Sequence, residues 1–521
     1  MRKHVYGSRI DNMILLAVLA VYFSAICLIN FSAAPSMYDA DMYCDYWYAE
    51  QVWEHKSIFP DGWVFGNQLN AVSTPVLAGI LYGLFRNWNI SLAAACTVMA
   101  VLTVVCYCWM MCGVNRQRKS RLLAVAVFLA ITLYFGKAIS GNKGWTLFFT
   151  MCSYYAGYSI TAFLAFGCYL RSLKGLAKKE WILLGVTCVL SFGTGIQSIR
   201  QTIVMVLPLL AAEFFRLLFG YKKWVLNRHP LLVAGGISAA NVMGLIAVRL
   251  MDISQITILG EIEVTPVSGV ADACKTCFKM IHALLSNGKS ESNAVLAVLL
   301  LICAVSLTQH VLLKEKKEQW LYENMLLLLF AVSVVCIAGI DIVTTMAIQP
   351  RYYFMIYPMI GYLVAYLYER CSRSRVAVML VLLLIFGISC VRELPGVCKQ
   401  AWNRKSEESY AVGEYLLKNG YDTVYSNWDH GEDYAFATAG EIEVGYWKDT
   451  VPFAPVMYIC DLEIYEAEPE HCVYIFRGAE ANETGKEKAL QKNVELQLLR
   501  YLPDSETYIY TASRNLMGMF R

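Results

Sequence analysis

Charge is what this chain has least of. Asp, Glu, Lys and Arg make up 16% of its 521 residues, against about 25% in an ordinary soluble domain. That scarcity, set against 57% hydrophobic residues, excludes a disordered chain, a secreted disulfide scaffold and a typical cytosolic enzyme. Net charge is only +3, so no global basic field recruits nucleic acid. Histidine is rare, with 7 in the chain, and neither His282 nor His310 has a partner at ligand spacing. Cys274 and Cys277 form a lone CxxC with no second pair to complete a zinc site, so two unconnected thiols or a local bridge are expected. The C-terminal part lacks GxGxxG and GxxxxGK[ST], and with them the backbone cradles for nucleotide phosphates. The chain has no internal repeat, low-complexity tract or Pro-rich linker.

Long apolar runs take the place of charge. A membrane span needs about 20 mostly apolar residues. Eleven segments qualify, centred on 12–32, 90–113, 122–138, 147–170, 180–196, 202–219, 231–249, 293–312, 323–346, 352–369 and 376–392. The first is read as a retained span, because its apolar core from Met13 to Phe31 is too long for a cleaved leader. Basic clusters fall in every second connection: Arg116 to Arg121, Arg171 to Lys179, Arg216 to Arg228, Lys314 to Lys317, and Arg370 to Arg375. The positive-inside rule puts these and the N-terminus in the cytoplasm, and the tail outside. Residues 71–85 are apolar but short and contain Pro75; a crossing there would invert every later cluster. They are expected to form an interfacial or re-entrant helix on the outer face.

The expected fold is therefore an all-α polytopic membrane domain, residues 1–392, with about eleven transmembrane helices and an outer loop at 33–89. A small extracytoplasmic α/β domain follows at 393–521. Within it, Ser406 to Gly420 reads as an amphipathic helix with a glycine stop. Strands are expected over Asp422–Ser426, Glu441–Trp447, Cys472–Phe476, Val494–Leu502 and Thr507–Ala512. Asn427 to Gly431 reads as a turn closing a strand, with Glu432 and Asp433 as solvated turn charge. Nothing in the spacing says whether Cys460 and Cys472 pair.

Two groups of residues carry possible chemistry. Asp39, Asp41 and Asp45 follow the first span among Tyr38, Tyr43, Tyr46, Trp47, Tyr48 and Trp53. Aromatic rings at that position suit a helix at headgroup depth, running from Ser36 to about Lys56. A carboxylate beside an apolar boundary can serve as a general base toward a hydroxyl; alternatively Asp39 caps the helix and Asp41 and Asp45 are solvated. Lys137, Lys143, Arg200 and Arg351 are cations at the outer ends of spans, against the positive-inside bias. Such charges either clamp an anion such as a lipid phosphate or snorkel to water.

These features together resemble the GT-C class of membrane glycosyltransferases, which includes protein O-mannosyltransferases and lipid A aminoarabinose transferases. The resemblance is carried by YDADMYCDYWYAEQVWEHKSIFP after the first span and STPVLAGILYGLF before the second. GIQSIRQ at an outer corner, QPRYY opening a later span, and the α/β tail complete it. It implies an inverting enzyme of the plasma membrane that moves a sugar from a polyprenyl-phosphate donor to an envelope glycan, lipid or protein. It also implies that Asp39, which stands four residues before Tyr43, is the catalytic base, with Asp41 the alternative; Ala40 stands where the family commonly has a second acid. Arg200, Arg351 and Lys143 would hold the lipid phosphate. No cofactor is assigned, although some relatives use a divalent cation at the acidic loop. Competing readings are a transporter or flippase, disfavoured by the scarcity of ionisable residues inside the spans apart from Asp341, a polysaccharide polymerase or ligase of another fold, and a non-enzymatic scaffold or sensor.

Overall fold

Apolar runs of this length fold as helices because a backbone shielded from water must satisfy its hydrogen bonds within the segment. The structure, a computed structural model, describes residues 2–33, 39–66, 68–114, 117–135, 144–151, 153–220, 225–251, 263–312, 317–346, 349–370, 375–392, 395–396, 399, 408–428 and 430–520. Among them, seven helices are long and apolar enough to cross a membrane: Asn12–Ser32, Trp88–Met111, Lys178–Gln197, Thr202–Phe219, His229–Leu250, Ser290–Thr308 and Trp320–Val343. The other expected spans contain the helices Arg118–Phe135, Ala156–Ser172, Ile356–Arg370 and Arg375–Arg392. The first three of these are buried along most of their length, and they form the middle of the bundle.

One expected span is broken. Within 147–170, a single helical turn, Trp145–Phe148, is followed by irregular backbone with Met151 and Ser153 at positive φ, before the Ala156–Ser172 helix begins. Asn30, only 1% exposed, compensates the lost helical bonds. Its amide donates to the Phe149 carbonyl at 3.2 Å and accepts from the Met151 N–H at 3.1 Å. Irregular backbone at this depth persists where protein groups satisfy it.

The basic connections meet at one end of the bundle. Arg171 donates to the Trp109 carbonyl and sits 3.5 Å from Glu180. Asn227 donates to the carbonyls of Ser172 and Leu173. Arg370 pairs with Glu323, and Ser120 with Glu369.

The 33–89 loop, called the outer loop after the side expected for it, has its described residues at the other end. Helix α1 (Ala40–His55) packs against α2 (Thr74–Phe85) so closely that a Cβ on Gly79 would stand 2.7 Å from the Ala49 carbonyl oxygen. At 1.5 Å per residue, α2 is about 18 Å long, too short to cross a bilayer core.

The C-terminal part is an α/β unit with a six-stranded sheet. Its strands are β2 (Thr423–Asn427), β3 (Glu443–Lys448), β4 (Val451–Pro455), β6 (Cys472–Arg477), β7 (Leu496–Leu502) and β8 (Thr507–Ala512), in the order β4-β3-β2-β6-β8-β7. β2 runs parallel to both β3 and β6, and the other pairings are antiparallel. Buried runs such as Cys472–Phe476 suit a central strand covered on both faces. The helix expected near 406–420 is Glu408–Lys418. Two further strands join this unit to the outer loop: β1 (Trp63–Val64) pairs antiparallel with β5 (Cys460–Asp461). Tyr43 and Tyr46 of α1 stack edge-on against Phe436, and the phenol oxygen of Tyr43 accepts from the Val444 N–H at 2.7 Å. Loop and tail thus share one hydrophobic core.

One expectation is corrected here. Glu432 is not a solvated turn charge but is 5% exposed, at the start of the Glu432–Ala437 helix. Tyr446 donates its hydroxyl to the Glu432 carboxylate at 3.1 Å, and the Gly431 N–H donates at 3.0 Å. Asp429, in the same turn, lies outside the described residues. Cys274, Cys277, Cys460 and Cys472 are all free thiols.

Candidate functional site

A cavity of about 100 Å³ lies where the outer loop, the bundle and the C-terminal unit meet. Asp41, Asp45, Arg200 and Arg351 line it, together with Gln68, Asn70 and the rings of Phe65, Tyr154, Tyr155, Tyr352 and Tyr458.

The carboxylates owe their position to the phase of α1. Asp39 precedes the helix in extended conformation and is its N-cap, accepting from the Met42 N–H at 2.9 Å. Asp41 and Asp45 are four apart and so share a helix face, and that face borders the cavity. Tyr43, Tyr46 and Trp47 cover the other side, buried against the C-terminal unit and Trp63.

Arg200 stands at the corner between the Lys178–Gln197 helix and the π-helical turn Thr202–Val206. The outer loop is stitched to this corner: the Leu69 N–H donates to the Gln197 carbonyl at 3.0 Å and the Val72 N–H to the Gln197 side chain at 2.9 Å. The Gln68 side-chain oxygen accepts from both Arg200, at 3.1 Å, and the Tyr158 hydroxyl, at 3.2 Å. The guanidinium carbon lies 4.6 Å from the ring centre of Tyr352, 5.0 Å from Tyr155 and 5.5 Å from Tyr158. Arg200 is half-buried in this cage of rings, an arrangement that favours the cation. Burial by itself lowers its pKa, and Tyr155, Tyr158 and Tyr352 more than offset that, so the net shift is upward.

Arg351 lies on the short 3-10 helix Pro350–Tyr353. The next-but-one residue anchors that helix, since the Tyr353 hydroxyl donates to Asp341 at 3.0 Å and lies 3.2 Å from the Cys277 thiol. Arg351 itself is half-buried and has no hydrogen bond or ion pair among the described residues. Arg351 lines the cavity, and among the described residues its guanidinium donors have no acceptor.

Of the residues singled out from sequence, Asp41, Arg200 and Arg351 come together here, while Asp39 is the helix cap one turn away and is not among the cavity-lining residues. Lys137 and Lys143 lie outside the described residues. Asp45 belonged to the acidic trio but had no separate signal. Gln68, Asn70, Tyr154, Tyr155 and Tyr458 were not foreseen; the pair Tyr154–Tyr155 marks the break in an expected span, and Tyr458 has no sequence signal at all. Among the described residues, no three of His, Cys, Asp or Glu gather to hold a metal ion. No protein-family model and no curated protein sequence matches the chain.

Proposed function

We propose that this chain is an inverting glycosyltransferase that moves a sugar from a polyprenyl-phosphate donor to a hydroxyl of an envelope acceptor. The observation that carries the reading is the cavity itself, lined by two carboxylates and two guanidiniums beside an apolar helical bundle. On this reading the architecture is GT-C-like, with eleven spans in the plasma membrane, a cytoplasmic N-terminus and an extracytoplasmic C-terminal domain.

The chemistry follows from that charge arrangement. Arg351 and Arg200 hold the donor phosphate and neutralise the negative charge that grows on it. Asp41 takes the proton of the acceptor hydroxyl. The hydroxyl oxygen forms the new bond to the anomeric carbon, while the bond from that carbon to the phosphate oxygen breaks and its electron pair leaves with polyprenyl phosphate. Attack opposite the leaving phosphate inverts the anomeric centre. Asp41 is assigned the base rather than Asp39 because it borders the cavity. Asp41 and Asp45 are also the pair that would hold a divalent cation, which would supply further neutralisation of phosphate charge.

The test uses the full chain in lipid nanodiscs with radiolabelled polyprenyl-phosphate sugars and a membrane extract as acceptor source. Asp41→Asn is expected to lower transfer by at least about a hundredfold, the scale of general-base catalysis, while donor binding persists. Undiminished transfer by Asp41→Asn rejects Asp41 as base. Absence of transfer and of donor binding by the parent across the donor series rejects the glycosyltransferase reading.

A further inference from the structure

The C-terminal unit supplies two residues to the cavity, Tyr458 and Ile459. They sit on a corner that is fixed from both sides. Before it, the Val456 N–H donates to the Tyr446 carbonyl at 2.9 Å and the Val456 carbonyl accepts from the Tyr465 hydroxyl at 3.0 Å. After it, β5 pairs with β1 of the outer loop, Trp63 opposite Asp461 and Val64 opposite Cys460.

Two features of the corner go beyond what anchoring requires. Ile459 adopts a φ of 47°, a left-handed conformation that costs a β-branched residue energy and is held in place by surrounding structure. Gly66 of the outer loop lies directly beneath, where a Cβ would stand 3.0 Å from both Tyr458 Cε2 and Ile459 Cγ1. Strain at Ile459 and the missing side chain at Gly66 together bring this corner into the cavity. The Tyr458 hydroxyl has no hydrogen bond among the described residues, although the side chain is half-buried.

Tyr458 lines the same cavity as Asp41 and Arg351. Burial raises the pKa of its phenol; Asp41 raises it further and Arg351 lowers it, so both charges reach the ring. If the phosphate is held at Arg351 and the base is Asp41, the sugar must lie between them. An aromatic ring lining that cavity offers a flat apolar face to the C–H groups of a sugar ring, and its hydroxyl offers a polar handle.

We propose that Tyr458 and Ile459 form the wall against which the donor's sugar ring packs, so that the C-terminal domain helps to select the sugar transferred. This rests on the glycosyl-transfer reading above and extends it to the sugar subsite.

The experiment measures binding of bare farnesyl phosphate and of farnesyl phosphates bearing glucose, galactose, mannose or xylose to the full chain in nanodiscs. The parent is expected to hold at least one glycosylated probe more tightly than the bare phosphate. Tyr458→Ala is expected to weaken that probe by about tenfold (~1.4 kcal/mol) and to leave the bare phosphate within about twofold. Tyr458→Phe is expected to retain most of the preference. Should Tyr458→Ala not fold, Tyr458→Leu, which keeps apolar bulk without the ring, is read in its place. Equal weakening of bare and glycosylated probes, no weakening of either, or a parent indifferent to the sugar overturns this inference while leaving the phosphate clamp standing. A parent that binds no probe overturns both.

Discussion

Glu50 of α1 and Glu443 of β3 are two carboxyls at the seam between the outer loop and the C-terminal sheet. Burial is the main cause that lifts both, Glu50 to about 8 and Glu443 to about 7. Glu443 and Glu54 add to the shift of Glu50, against a hydrogen bond from Trp88; Glu54, Asp461 and Asp422 add to that of Glu443. A folded-state pKa above the ordinary value of 4.5 means that the fold binds more protons than the unfolded chain between those limits. Stability from these groups is therefore complete below 4.5 and is lost as pH rises through 7 and 8. One pKa unit corresponds to about 1.4 kcal/mol, so the Glu443 shift is at most ~3 kcal/mol, and the two groups do not simply add. Glu443→Gln keeps the shape and removes the charge. It should melt above the parent at about pH 8. The two proteins should melt together at about pH 4.5. Thermal melts of both in nanodiscs over that range provide the check. Parallel melting curves at every pH would refute the placement of Glu443 as a buried, charge-sensitive group at the seam.

Two further predictions separate structural from chemical roles. Asp39→Ser preserves an N-cap, which is worth about 1 kcal/mol to α1, and should leave sugar transfer within about twofold of the parent. A loss matching that of Asp41→Asn would instead make Asp39 the base. Gly244→Ala would bring a Cβ to 2.2 Å from the Phe192 carbonyl oxygen, where the His229–Leu250 and Lys178–Gln197 helices touch. It should cost about 1–3 kcal/mol, seen as a lower melting temperature in nanodiscs. An unchanged melt would mean that these helices are not so close.

What was legible in the sequence was what is periodic or continuous. The strands β2, β3, β6, β7 and β8 fall within two residues of the runs that announced them, because each run is apolar and closed by turn residues. The helix Ala479–Gln491 escaped notice because AEANETGKEKALQ is almost wholly polar, and its buried contacts are made by Asn482, Gly485 and Ala489. The β1–β5 pairing is two residues long on each side and has no local signature. Glu432 read as solvated because no side chain nearby in sequence announces a partner; besides the adjacent Gly431 N–H, its carboxylate accepts from the Tyr446 hydroxyl, which arrives from β3. The resemblance favoured Asp39 for its place four residues before Tyr43. The helix starts at Ala40, which makes Asp39 its cap and puts Asp41, two residues on, at the cavity, and composition does not locate a helix start so finely.

Sequence left two explanations equal for Arg200 and Arg351, and the packing around each cation bears on both. A snorkelling arginine lays its stem on apolar surface and extends its head to water. Arg200 does the opposite: its head is half-buried beneath three tyrosine rings and fixed by Gln68. Arg351 is held by its backbone, through the Tyr353–Asp341 bond, while its own guanidinium has no acceptor among the described residues. Neither cation has a carboxylate at ion-pair distance among the described residues, whereas Arg171, Arg216 and Arg370, at or near the basic end, each do. Removing two guanidiniums part-way from water without pairing them costs free energy that the rings and one amide only partly offset. An anionic ligand would complete the compensation.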